Sequence, residues 1–116
     1  MPERHSPGEV LLASLVFTSQ AGAKKRPVMV IRDAGDDDIL VAPVSGQAAR
    51  VAYDVILGDW QRAGLRLPSV VRVEKLATIA KATVLRGLGR PSAGDWAQVK
   101  EMLTQLCAEV LAGWSN

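Results

Sequence analysis

Apolar positions along the chain fall into two regimes. Up to about residue 90 they come in short runs separated by turn residues, and beyond Ser92 they recur at intervals of three and four. The first regime predicts strands. GEVLLASLVF is strand-like, and the basic, turn-rich TSQAGAKKR after it predicts a loop. PVMVIRD predicts a second strand, opened by Pro27 where a missing N–H is tolerated. The acidic GDDD is a turn, ILVAPV a third strand and, past the loop SGQAAR, VAYDVIL a fourth. GDWQRAGL reads as a short helical turn or an irregular excursion. LPSVVRVEKLATI predicts a fifth strand running onward, and ATVLRGLGRPS holds one more, ended by Gly89 and Pro91.

The second regime predicts a helix over about 92–111. Ser92 followed three residues later by Asp95 resembles a capping box with Asp in place of Glu. Trp96, Val99, Met102, Leu103, Leu106, Val110 and Leu111 make an apolar stripe that ends near Gly113. Cys107 lies beside this stripe and is expected to be a packed thiol. Residues 1–7, with two prolines and no periodicity, predict a disordered tail, which leaves 8–116 as a single domain. Five or six short strands followed by one helix make the fold mainly β with a C-terminal α-helix, a small partly open antiparallel barrel of the SH3 type or an OB-like one.

Composition narrows the function. With 116 residues, 48% of them hydrophobic, there is one modest core and no room for a second domain. No run of 18 apolar residues appears, and MPERHSPGEV lacks the layout of a signal peptide, so a cytoplasmic protein with no membrane partner is expected. One cysteine and one histidine, Cys107 and His5, exclude an internal disulfide and leave too few soft ligands for a zinc or iron site within one chain. No cofactor is implied; chemistry would be metal-free or use bound magnesium. The net charge of +2 conceals a block between residues 60 and 90, where seven Lys and Arg stand against Glu74 alone. Such a block suits a polyanion, or simply rims the domain as solvated side chains. Within it, VVRVEK places Arg72 and Glu74 two apart, on one face if the segment is a strand.

Taken in order, GEVLLASL, KKRPVMVIRD, ILVAPVSGQ, DWQRAGLRLPSVVRVEKLATI and LRGLGRPS, with the helix after them, resemble the MazF/PemK family of toxins from type II toxin-antitoxin pairs along nearly the whole chain. The resemblance implies an SH3-like barrel of the MazF/CcdB kind, a homodimer, and metal-independent, sequence-selective cleavage of single-stranded mRNA to 2′,3′-cyclic phosphate and 5′-hydroxyl ends. A cognate antitoxin and, together with it, operator DNA complete the implied partners.

Such cleavage needs a group to take the 2′-hydroxyl proton and others to stabilise charge on the phosphoryl oxygens. By resemblance Arg26 matches the arginine of the family's RP motif and would stabilise the pentavalent phosphate. Ser45 stands where threonine is common and would donate a hydrogen bond. Arg72 and Glu74 match a branch carrying an arginine and an acid, usually aspartate; Glu74 would be the base and Arg72 its electrostatic partner. That branch also has a histidine after the first strand, which TSQAGAKK lacks, so either a loop lysine or Gln20 substitutes or activity is weaker. Phe17, Tyr53 and Trp60 are the candidates for base stacking, Lys24 and Lys25 would track phosphates, and Gln47 and Lys75 complete the RNA-binding set. Trp60 also suits a plug over the barrel end, the reading preferred for it. Two other readings use the same barrel: a non-catalytic CcdB-like gyrase binder, for which Trp114 at the helix end is the candidate contact, and a degenerate member acting only on antitoxin and operator.

Overall fold

The computed structural model describes residues 3–16 and 22–114. Seven strands run β1 (Val10–Val16), β2 (Ala23–Arg32), β3 (Asp38–Ser45), β4 (Asp54–Ile56), β5 (Val70–Arg72), β6 (Ala77–Ala80) and β7 (Val84–Gly89), followed by α1 (Ala93–Gly113). All pairings are antiparallel, in the order β4-β5-β3-β2-β1-β7, with β6 on the same β3 edge as β5. The ends of this path, β4 and β7, do not pair with each other, so the barrel is partly open.

Runs such as VMVI lack clean alternation because the sheet is covered on both faces. Val10, Met29, Ala42, Val44, Val55, Val71 and Val73 belong to one cluster, closed by Leu57, Ala63 and Val99 of α1. Their chain neighbours Leu11, Val28, Val30 and Val41 belong to the second, with Ala13 and Ile39. The excursion after β4 packs tightly on β7: Gly64 has φ +82°, and a Cβ there would run into the Leu88 carbonyl.

Four sequence expectations change. First, β2 begins at Ala23, so Lys24, Lys25 and Arg26 are strand residues rather than loop residues, paired with Leu15, Ser14 and Ala13. The β2–β3 ladder stops at Val28↔Pro43; Pro27, next along β2, has no N–H to carry it further.

Second, the long fifth strand is broken. Between the pairs Val44↔Val71 and Val41↔Ala77, β3 has two residues and the opposing chain has five. Val73–Lys75 form a 3₁₀ turn that absorbs the excess. This odd insertion reverses the side-chain parity: Val71 and Val73 fill the first cluster, and Ile79 packs on the second.

Third, the N-terminal segment is docked from residue 4. The His5 N–H donates to Asp33 Oδ2 at 2.7 Å, and the Gly8 N–H to the Val30 carbonyl at 2.7 Å. Asp33 also accepts from the Gly35 N–H and lies 3.0 Å from Lys81 Nζ. The His5 N–H, against an opposing push from burial and with help from Gly35 and Lys81, holds the Asp33 carboxyl well below the usual carboxylate range.

Fourth, only the first half of the helix stripe is covered. Trp96, Met102, Leu103 and Leu106 pack on the first cluster, whereas Val110, Leu111 and Trp114 are exposed, as is Cys107. In a helix of 21 residues, about 32 Å long, the covered stripe ends at Leu106. Half of the expected capping box forms: Ser92 Oγ accepts from the Asp95 N–H at 3.1 Å, but the Asp95 carboxylate turns to the Gly58 and Asp59 N–H groups at 3.1 and 2.9 Å.

Candidate functional site

Strand register gathers the phosphate-site candidates. Paired residues, and residues two apart on a strand, share a face. Ser45 pairs with Val70, Val70 with Ile56, and Arg72 with Asp54. Carried past its last pair, Val28↔Pro43, the β2–β3 register sets Arg26 level with Ser45. Arg26, Ser45, Arg72 and Asp54 therefore lie on one sheet face, and Arg26 and Arg72, two strands apart, are separated by on the order of 10 Å of backbone.

Each side chain is held differently. Arg26 is exposed, with Nη1 donating to the Lys25 carbonyl at 3.3 Å. Ser45 Oγ accepts from the Gln47 N–H at 3.1 Å, a tight turn that orients the hydroxyl and leaves its proton to donate elsewhere. Gln47 is exposed beside it. Arg72 is 11% exposed and donates from Nη1 to Asp54 Oδ2 at 2.7 Å; the Asp54 side chain is fully buried. Burial pushes the Asp54 carboxyl up, but N–H donation from Arg50 and Val51 and the charge of Arg72 outweigh it, leaving it below its ordinary value.

Glu74 is not on this face as a strand residue. It sits in the 3₁₀ turn that follows Arg72, exposed, with no ion pair among the described residues. Arg72 is paired with Asp54, a residue that the sequence reading passed over. Its only signal was the isolated acid in VAYDVIL, at a position where a strand next to a basic one offers it an arginine.

The RNA-binding candidates divide. Lys24 shares the Arg26 face, two residues along β2, while Lys25 alternates to the other side. Lys75 is exposed in the 3₁₀ turn. Tyr53 and Trp60, expected to stack on bases, instead pack on the first core cluster, on the helix side of the sheet. The Tyr53 hydroxyl donates to Glu109 of α1; that bond, then burial and the negative charge of Glu74, push the phenol above its ordinary value. Phe17 and Gln20 lie outside the described residues. A feature not anticipated is Ile56, 65% exposed on the Arg72 face, with Leu67 half exposed against Gly46.

No three His, Cys, Asp or Glu side chains converge as a metal cage among the described residues. No helix among them is long and apolar enough to cross a membrane.

With this geometry in view, residues 6–107 match the family described as PemK-like, MazF-like toxin of type II toxin-antitoxin system. The chain belongs to this family. A search of the curated proteins finds no significant match. Among solved structures the Mycobacterium tuberculosis toxin MazF-mt6 is similar at 24% identity and TM-score 0.68, over 84% of this chain and 93% of its own. An endoribonuclease in complex with its cognate antitoxin, from a mycobacterial species, superposes with TM-score 0.72 at 13% identity, over 90% and 96%. MazF in a MazE–MazF crystal from Deinococcus radiodurans gives 0.71 at 22%, also over 90% and 96%. The fold is thus the MazF-like barrel, with β1 through most of α1 inside the matched region.

Proposed function

We propose that this toxin is an endoribonuclease that cuts single-stranded mRNA without a metal ion, leaving 2′,3′-cyclic phosphate and 5′-hydroxyl ends, and that a cognate antitoxin restrains it. What supports the reading is the strand register, which sets Ser45 and Arg72 on one face and, extended past Val28↔Pro43, Arg26 with them, in a chain of the PemK/MazF family. Solved relatives of the same fold include one named as an endoribonuclease bound to its antitoxin, which supports both the activity and the partner.

In the proposed mechanism the scissile phosphate lies over β3. The Arg26 guanidinium binds its non-bridging oxygens, the Ser45 hydroxyl donates to one of them, and Arg72 neutralises the charge that grows as the phosphorus becomes pentavalent. Glu74, an exposed carboxylate two residues past the end of β5, takes the 2′-hydroxyl proton. The 2′-oxygen bonds to phosphorus as the P–O5′ bond breaks, and the departing 5′-oxygen takes a proton from solvent to end as the 5′-hydroxyl. DNA has no such hydroxyl and would be bound without being cut. Lys24 and Lys75 meet flanking phosphates, and Ile56 offers an apolar surface to a base. A homodimer, and operator binding together with the antitoxin, belong to the same proposal.

The test incubates the purified protein with mixed-sequence single-stranded RNA in EDTA. Fragments with cyclic phosphate ends are expected; intact RNA at every protein concentration would refute the catalytic reading, and cleavage only after magnesium is added would refute its metal-free form.

A further inference from the structure

Where the Arg72 guanidinium sits is decided by Asp54, a residue that no motif of the sequence marks. Asp54 Oδ2 accepts three donors: the Arg50 N–H at 2.9 Å, the Val51 N–H at 3.3 Å and Arg72 Nη1 at 2.7 Å. The first two tie the carboxylate to the turn before β4, and the third ties the guanidinium to the carboxylate. Both side chains are largely withdrawn from water, with Asp54 fully buried and Arg72 11% exposed.

As a stability device this pair is poor. Asp54 Oδ1 and Arg72 Nη2 are buried without hydrogen-bond partners among the described residues. A buried ion pair with unsatisfied polar atoms gains little over apolar side chains of the same size. What it does supply is a cation whose orientation is set in advance, and a preset cation stabilises developing phosphate charge better than a mobile, hydrated one.

We infer that Asp54 is the positioning residue of the phosphate site, acting through Arg72 to hold the guanidinium on the face shared with Arg26 and Ser45. The inference rests on the RNA-cleavage reading above. Asp54 acts through Arg72 and touches no substrate atom, because its side chain is fully buried.

The test compares Asp54→Asn, Arg72→Gln and the double variant in steady-state cleavage of a single-stranded RNA, with thermal melts of each. Asparagine keeps an oxygen for the Arg50 and Val51 N–H groups, and glutamine keeps an amide donor for Asp54, so both variants are expected to fold. Asp54→Asn should lower kcat about tenfold or more with KM held within about threefold. In the Arg72→Gln background it should add almost nothing, since the two residues act as one unit. The same factor in both backgrounds, or a lowered melting temperature with kcat unchanged, makes Asp54 a structural staple and overturns the inference. If the wild-type protein cuts no RNA, the functional reading fails separately, and the positioning claim is judged on the Arg72 Nε–H signal in nitrogen relaxation spectra: order lost in Asp54→Asn sustains it, equal order in both proteins overturns it.

Discussion

Arg72 and Asp54 face each other across the β4–β5 ladder, Nη1 to Oδ2 at 2.7 Å, and this pairing detaches Arg72 from Glu74. Two residues that looked like one acid–base unit in VVRVEK thus have separate surroundings. Arg72 is built into the sheet, while Glu74 stands exposed on the turn that ends the strand.

Arg26→Ala should abolish RNA cleavage while leaving the fold unchanged. Loss of one preset donor to a charged transition state costs roughly 10²–10³ in rate. An exposed side chain contributes within about 0.5 kcal/mol to stability. Time courses on a single-stranded RNA, with a urea melt, check both halves; wild-type rates in the variant would move the phosphate site elsewhere.

Acid should unfold the protein through Asp33 and Asp54. Both have folded-state pKa values below the unfolded value of about 3.9. The stability they contribute is therefore complete above that value and is lost as the pH falls through the lower folded values. Urea midpoints should hold between about pH 7 and pH 5 and fall below about pH 4. Asp33→Asn should lower the neutral midpoint and flatten the acid limb; an acid limb of unchanged steepness would assign the titration to other groups.

Asp95→Ala should loosen the clasp between α1 and the turn after β4. The carboxylate accepts from the Gly58 and Asp59 N–H groups, and removing it strands both donors. A cost of about 1–3 kcal/mol is expected in urea unfolding. The cleavage rate of the folded protein should not change, because Asp95 lies on the helix side, away from Arg26 and Ser45.

Trp60→Ala should register in stability and not in RNA affinity. The indole is half-buried on the core cluster of Leu57, Ala63 and Val99. Its truncation should cost on the order of 2–4 kcal/mol, toward the lower part of the range for buried tryptophans. Anisotropy titration with an uncleavable deoxy-substituted oligonucleotide checks the second half, and a large affinity loss with stability intact would return Trp60 to the RNA surface.

The elements that local pattern specifies were legible. Strand-like runs between turn residues and the switch to helical spacing at Ser92 placed β1, β3, β7 and α1 to within a few residues, since each depends on neighbours in the chain. Residues 23–26 were less so: AKKR has a loop's composition and becomes strand because β1 offers it a partner from Ala13 to Val16. The same holds at VEK, where alternation fits a strand but burial of both Val71 and Val73 on one side and Ile79 on the other requires an odd insertion.

By itself, then, the sequence determined a small β barrel with a terminal helix, one modest core, and an inventory of arginines, a serine and acids fit for RNA chemistry, because side-chain type and periodicity are local properties. Only the tertiary structure decided which of these groups meet. Asp54 and Arg72 lie 18 residues apart and pair because β4 and β5 are adjacent antiparallel strands. Tyr53 and Trp60 pack on the core cluster because α1 and the excursion after β4 close over that face. Proximity across a sheet follows from register, and register is settled by the burial of the whole domain rather than by any one segment.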